Sequence, residues 1–352
     1  LSSKLDILIL KKDDVRLDLS YFESPLGKTG FSEKFRKIVG EQRQPNEKVE
    51  QRHSDLAYAV QRIFEDAMFY LTDMAYELTK SENLCLSGGS ALNCLANGKL
   101  LTSSKFKNVF VPPGVADAGI SEGIVYYVWN HLLENPKKRI NISDYDPYLG
   151  PEYSNDEIKS EIEKCKLKSE FLSDNQLFKR TAELIAKGQI VGWFQGRTEW
   201  GARALGNRSI LADATVGEMK DIVNKAIKYR EEFRPFAPSV LEESAVDYFD
   251  GIKEASPFMS IIFKVKEDKQ KILPAITHVD GTARPQTVNK KLNPRYWNLI
   301  KEFENIKGVP VILNTSFNVK GEPIINSPKD AIRCFYSTGL DYLVMGNYLI
   351  SK

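Results

Sequence analysis

The segment Gly196–Asp213, GRTEWGARALGNRSILAD, constrains this chain more than any other. It interleaves Arg197, Arg203 and Arg208 with Gly196, Gly201 and Gly206. Glycine lets backbone turn and approach a neighbour closely. Arginine supplies a planar fork of donors that fits phosphate or carboxylate. The apolar run IVGWF, Ile190–Phe194, reads as a buried strand that delivers the chain to this segment. A second group, KYREEFRPFAPS, carries Lys228, Arg230 and Arg234. Neither group has the apolar periodicity of an amphipathic element. Both are therefore read as irregular segments that gather cations around an anion.

The chain has 352 residues, which suggests about two domains. Its net charge is only +2, so the arginine groups are local features and not part of a broad cationic face, which argues against a nucleic-acid partner. The four cysteines, Cys85, Cys94, Cys165 and Cys334, form no CxxC pair and read as thiols of a reducing, cytoplasmic compartment. No apolar run approaches the length needed to span a bilayer. The opening LSSKLDILILKKDD lacks an initiator Met and does not read as a signal peptide, so the chain is expected to begin within a longer polypeptide or after a cleavage.

Leu56, Val60, Ile63, Phe64, Ala67, Leu71, Met74, Ala75 and Leu78 recur at helical spacing and predict one long helix over 51–80, its apolar stripe packed under a sheet. Two strand–turn–helix units follow. In the first, a strand at 84–86 meets Ser87-Gly88-Gly89, with a helix from about Ser90. In the second, a strand at 109–111 runs through a Pro-Gly loop to a helix from about Asp117. Residues 135–155, rich in Pro, Asn, Asp and Lys, mark the domain boundary. Beyond it the pattern predicts helices at 156–165, 175–187 and 216–228, a strand at 257–265, a helix ending at Gly308, a strand at 309–313, a helix capped by Ser327, and a closing strand pair around Gly346-Asn347.

Residues 87–93, with Gly88, Gly89 and Asn93, sit where strand meets helix, a place that offers free N–H groups to a phosphate; a tight packing turn is the alternative. Asp117 is either a helix N-cap or a carboxylate beside a metal or phosphate. The three histidines, His53, His131 and His278, are not spaced as a metal pair. HVDGTARPQTV brings His278, Asp280 and Arg284 around a turn, and NTSFNVKGEPI places Asn314, Thr315, Ser316 and Asn318 at a strand end. Cations gathered in one domain, Arg203, Lys228, Arg234 and Arg284, repel one another unless an anion neutralises them.

These words, together with LCLSGGSALNCLANG, PPGVADAG and GVPVILNTSFNVKGEPI, run through nearly the whole chain in order. In them the sequence resembles the NodU/CmcH family of O-carbamoyltransferases. The resemblance implies an α/β protein in two parts. One is a partial actin-like ATPase domain, similar to the threonylcarbamoyl transferases, at 1–140. A linker at 141–155 follows, and then a YrdC-like α/β domain with a twisted sheet at 156–352. It also implies a two-step reaction. Carbamoyl phosphate and ATP give carbamoyl-adenylate and pyrophosphate, and the carbamoyl group then passes to a hydroxyl of a small natural product or sugar.

By the same resemblance Lys228, Arg234 and Arg284 hold carbamoyl phosphate, with Arg203 close by. Asn314, Ser316 and Asn318 line the ATP site, Gly88, Gly89 and Asn93 meet a nucleotide, and Asp117 is a ligand to a divalent metal (Fe, Mg or Mn). The chain departs from the family where it lacks the first half with its HxxH-type motif, which is expected either on another chain or in the rest of a longer polypeptide; a homodimer is also compatible. It departs again at Trp200-Gly201-Ala202-Arg203, and at Ile120 and Ser121. A binding module for nucleotide or RNA, related to tRNA threonylcarbamoylation and without carbamoyl chemistry of its own, is the alternative.

Overall fold

The computed structural model describes residues 8–11, 14–23, 30–44, 47–138, 140–228, 233–253 and 255–352. Arg230 of the second cationic group lies outside them. The chain divides into two compact units, residues 1–85 with 98–110, and residues 86–97 with 111–352. The units therefore part elsewhere than at 141–155, since 86–97 and 111–138 cluster with the C-terminal part of the chain.

Unit one opens with an antiparallel pair, β1 (Leu8–Lys11) and β2 (Asp14–Leu17), and a short helix α1 (Glu33–Val39) whose N-cap Ser32 accepts from the Phe35 N–H. The long helix α2 (Gln51–Thr79) follows, as its spacing predicts. Tyr21, Phe35 and Ala59 are the buried centre of this part, with Val39, Leu56 and Ile63 packed on them. The expected burial of the whole α2 stripe does not occur: Val60, Leu71 and Leu78 are exposed. A helix of this length spans about 44 Å, and the two-stranded sheets of this unit are too small to cover it. The buried Glu65 is instead paired with Lys99 at 2.6 Å. The second small sheet is β3 (Asn83–Cys85) with, after the helix α3 (Cys94–Ser103), the parallel β4 (Asn108–Phe110).

Unit two carries α4 (Gly119–Tyr127), α5 (Asn155–Lys164), β5 (Ser169–Phe171), α6 (Asp174–Ala186), β6 (Val191–Phe194), β7 (Arg208–Asp213), α7 (Met219–Val223) and β8 (Ala237–Leu241). Then come α8 (Ala245–Tyr248), β9 (Phe249–Asp250), β10 (Phe263–Val265), α9 (Glu267–Gln270), β11 (Thr282–Ala283), β12 (Gln286–Val288), α10 (Pro294–Lys307), β13 (Val311–Ser316), α11 (Pro328–Tyr336), β14 (Tyr342–Met345) and β15 (Tyr348–Ser351). Eight strands form one mixed sheet in the order β12-β8-β13-β7-β6-β14-β15-β5. The fold is thus mixed α/β. Helices α6 and α10 bury Leu177, Ile185, Tyr296, Leu299 and Phe303 in one core with Trp193, Leu211 and Ile312.

Four sequence expectations change here. The second half of the Gly196–Asp213 segment is not irregular; it is β7, buried at every residue. The end of KYREEFRPFAPS likewise enters β8, also buried throughout. Strands covered on both faces lose the alternation that betrays half-buried ones. The strand expected at 257–265 is shortened to β10, because 257–258 form a turn and Met259 sits at φ +53°, outside the extended region. The helix expected from Ser90 is a 3-10 turn at Gly89–Leu92, with α3 starting at Cys94.

Candidate functional site

The sheet register gathers the cationic segments at one end. Asn314 of β13 stands opposite Leu211 of β7 and Ala237 of β8, both antiparallel to it. Strand β12 runs parallel to β8, with Gln286 opposite Ser239. The N-terminal ends of β7, β8 and β12 therefore meet the C-terminal end of β13. Arg203, Arg234 and Arg284 each lie shortly before one of those three strands, and Ser316 and Asn318 end β13. Lys228 reaches the same place from a π-helical turn, Asn224–Lys228. Such wide turns recur at functional sites.

The Lys228 side chain is buried, and its Nζ donates to both the carbonyl and the hydroxyl of Ser316 and to both oxygens of Asn318, at 2.9 Å for the Asn318 carbonyl and 2.8 Å for Oδ1. No carboxylate is among these four acceptors. Ser316 Oγ donates to Asn318 Oδ1 at 2.7 Å and Asn318 Nδ2 to the Glu322 carbonyl at 2.7 Å, which fixes the three side chains as one group.

Arg203 and Arg284 form the second feature. Both are half-buried. Burial, and next the proximity of Arg284, pull the Arg203 guanidinium down to about 10. Arg284 Nε is buried with no hydrogen-bond partner among the described residues. Two neighbouring guanidinium groups without a carboxylate between them are an arrangement that an anion would stabilise. His278 adjoins Arg284. Burial depresses its imidazole below the ordinary value, with Asp280 opposing and Arg284 assisting. Arg234 is exposed at the start of β8, its carbonyl accepting from Asn224 Nδ2 at 3.3 Å.

The three arginines of the Gly196–Asp213 segment do not act alike. Arg208 is wholly inside, donating to the carbonyls of Gln195, Asn207, Pro151 and Gly196, with its guanidinium 3.7 Å from the centre of the Phe194 ring. Arg197 donates to the carbonyls of Gly150 and Leu149, both at 3.0 Å. Only Arg203 is left to face a ligand. The organiser of the segment is Glu199, which the sequence reading passed over. Its Oε1 accepts from the N–H groups of Leu205, Asn207 and Arg208 at 2.7, 2.8 and 2.9 Å. A lone carboxylate among three arginines was the available signal. Gly206, at φ +97°, is required here, because a Cβ would fall 2.1 Å from Tyr296 Cδ1.

Asn314 is buried, and its Nδ2 donates to Ser239 Oγ at 2.9 Å, Gln286 Oε1 at 3.1 Å and the Ala204 carbonyl at 3.2 Å. It ties the Arg203 segment to the sheet, and its Oδ1 alone is unpartnered among the described residues. The turn at 87–90 is exposed, with Gly88 at φ +90° and its N–H donating to the Val115 carbonyl at 2.6 Å. Asn93 Oδ1 accepts from the Ala96 N–H at 3.1 Å and so caps α3. Asp117 is exposed, and α4 begins at Gly119 without a side-chain cap, so the capping alternative is not made. Ile120 and Ser121 are exposed on α4. Among the described residues no three His, Cys, Asp or Glu side chains cluster as a metal site. No helix among them is long and apolar enough to cross a membrane.

A mixed α/β unit that collects cations at one sheet end is a natural holder of phosphorylated ligands. The comparisons bear on which one. Residues 182–352 match the family model of the carbamoyltransferase C-terminus, and residues 6–125 match that of the carbamoyltransferase N-terminus. The chain belongs to this carbamoyltransferase family, the NodU/CmcH family that its motifs resemble. It is 42% identical over 372 residues to the protein sll1178 of Synechocystis sp., covering 99% of this chain and 60% of that one. It is 42% identical over 315 residues to the nodulation protein NolNO of Sinorhizobium fredii (86% and 44%). It is 33% identical over 291 residues to the 3'-hydroxymethylcephem-O-carbamoyltransferase of Amycolatopsis lactamdurans (83% and 52%). The chain thus spans roughly half the length of these relatives.

Proposed function

We propose that this chain carries the donor-activating part of an ATP-dependent O-carbamoyltransferase. Carbamoyl phosphate, ATP and water give carbamoyl-adenylate, pyrophosphate and inorganic phosphate, and the carbamoyl group then passes to a hydroxyl of a small natural product or sugar with AMP as the leaving group. One relative is named as such an enzyme, for a hydroxymethylcephem. On this reading residues 156–352 are the YrdC-like, adenylate-forming domain, and residues 1–140 are part of an actin-like transfer domain.

The observation that carries the reading is the neighbouring pair Arg203 and Arg284, which have no ion pair among the described residues and lie at the same sheet end as Lys228. Bringing a carbamoyl phosphate up to a nucleotide triphosphate crowds anionic oxygens, and preset cations offset that repulsion and orient the attack. Lys228, Arg234 and Arg284 bind carbamoyl phosphate, with Arg203 beside them. Ser316 and Asn318 hold Lys228 and, with Asn314, edge the ATP site. Gly88, Gly89 and Asn93 are assigned to nucleotide. Asp117 contributes one carboxylate toward a divalent metal whose remaining ligands would come from elsewhere.

The test is exchange of labelled pyrophosphate into ATP. Exchange should require carbamoyl phosphate and fall at least 100-fold in Arg284→Ala. Exchange at the full rate in Arg284→Ala and Arg234→Ala would overturn the site.

A further inference from the structure

Trp200, one of the positions at which the chain departs from its family, has a partner far away in sequence. Its indole lies on Gly114, in the loop 113–118 that carries Asp117. A Cβ on Gly114 would fall 2.3 Å from Trp200 Cζ2, where carbon atoms ordinarily meet at about 3.5–4.0 Å. The same junction is tight a second time. A Cβ on Gly201, at φ +108°, would fall 2.3 Å from the Pro113 carbonyl oxygen. A residue without a side chain on each segment lets the two approach this closely. Both segments belong to unit two.

Neither side of the contact is free to yield. Behind the ring, the Trp200 N–H donates to the Pro147 carbonyl at 2.7 Å and the Thr198 N–H to the Pro151 carbonyl at 3.0 Å. Glu199, next to Trp200 in the chain, holds the N–H groups of Leu205, Asn207 and Arg208, which joins the ring to the turn that presents Arg203. On the other side the loop is closed by the Gly119 N–H on the Ala116 carbonyl at 2.9 Å and the Ile120 N–H on the Asp117 carbonyl at 3.1 Å. Its Val115 carbonyl accepts from the Gly88 N–H at 2.6 Å, so the Gly88 turn hangs on the same loop. A close-packed contact of this kind transmits displacement from one side to the other.

We propose that Trp200 is a positioning residue: through Gly114 it ties the Asp117 loop to the Arg203 segment, so that an anion held by Arg203 and Arg284 also orders the loop 113–118. The tie joins the two regions of the family match, since Gly114 lies within 6–125 and Trp200 within 182–352. The proposal rests on the anion site of the preceding reading. By linkage, whatever fixes the loop tightens the anion site by the same factor.

The test uses the full chain with inorganic phosphate as the probe, read by calorimetry and by amide hydrogen exchange. Saturating phosphate should slow exchange of the Gly119 and Ile120 amides, which close the loop. In Trp200→Ala, at a phosphate concentration that saturates that variant, this protection should vanish while the Arg203 segment stays protected. Trp200→Phe, which keeps an aromatic ring against Gly114, should retain it. Gly114→Ala should weaken phosphate binding about tenfold, and adding Trp200→Ala should bring no further loss, the mark of two residues in contact. A merely structural contact would change stability in these variants and leave the response of the loop to phosphate as it was. Phosphate binding by the native chain without protection of the two amides overturns the proposal and leaves the anion site standing; that result needs no variant to fold. Protection unchanged in Trp200→Ala, or additive losses in the double variant, overturns it equally. A native chain that binds no phosphate overturns the site and the proposal together.

Discussion

Glu199→Gln is the change that best tests how the Arg203 segment is held. The substitution keeps shape and removes charge. One carboxylate oxygen accepts from three backbone N–H groups within 2.7–2.9 Å, and it also offsets the buried Arg208, which burial lowers to about 10. Hydrogen bonds to a charged acceptor are worth about 1.5–3 kcal/mol and neutral ones about 0.5–1.5 kcal/mol. Three bonds that each weaken by about 1 kcal/mol give a loss of about 3 kcal/mol, before any cost of leaving Arg208 without its nearby opposite charge. For a unit of this size that is a fall in Tm of about 6–12 °C. Calorimetry and urea unfolding would measure it, and phosphate affinity should weaken together with stability because Arg203 rides on the same segment. A loss under about 1 kcal/mol would show that the three N–H groups are satisfied equally well by a neutral oxygen, and the argument for Glu199 as organiser would fail.

Three further outcomes are expected. Arg284→Gln should leave the ligand-free protein as stable as before or slightly more so, because it removes one of two neighbouring like charges, while inorganic phosphate titrated by calorimetry binds about 10- to 100-fold more weakly. Gly206→Ala should prevent native packing of α10 on the sheet, since the Cβ meets Tyr296 and the φ is positive; the far-UV spectrum and expression level would report it, and a variant of native stability would refute the geometry. The half-buried His278 has its folded value below the ordinary 6.5, so the unfolded chain binds the extra proton first. Stability is then full above about 6.5 and falls as pH drops through the folded value. His278→Gln should flatten that slope in urea titrations at pH 5 to 7.5, and an unchanged slope would contradict the assignment.

Much of unit two was legible because its elements are locally signed. Ser327, Pro328 and Asp330 announce α11, and the structure shows Ser327 accepting from the Asp330 N–H. Gly308 ends α10 in the left-handed conformation. Gly346-Asn347 turns β14 into β15. The segment Gly196–Asp213 was legible as composition but not as structure. Its arginines are alike in sequence, and only their surroundings divide them into two that hold backbone carbonyls and one, Arg203, with no hydrogen-bond partner among the described residues. β7 and β8 escaped notice because burial on both faces erases alternation.

Residue types and spacing by themselves determined the family, the helices with their caps, and the existence of a cation-rich C-terminal half. The tertiary structure alone decided which cations meet. That depends on strand order and register, which bring Arg203, Lys228, Arg234 and Arg284 to one sheet end from segments up to 81 positions apart in the chain. Local sequence encodes local backbone preference, whereas the partner of a buried charge is chosen by whatever long-range packing places beside it.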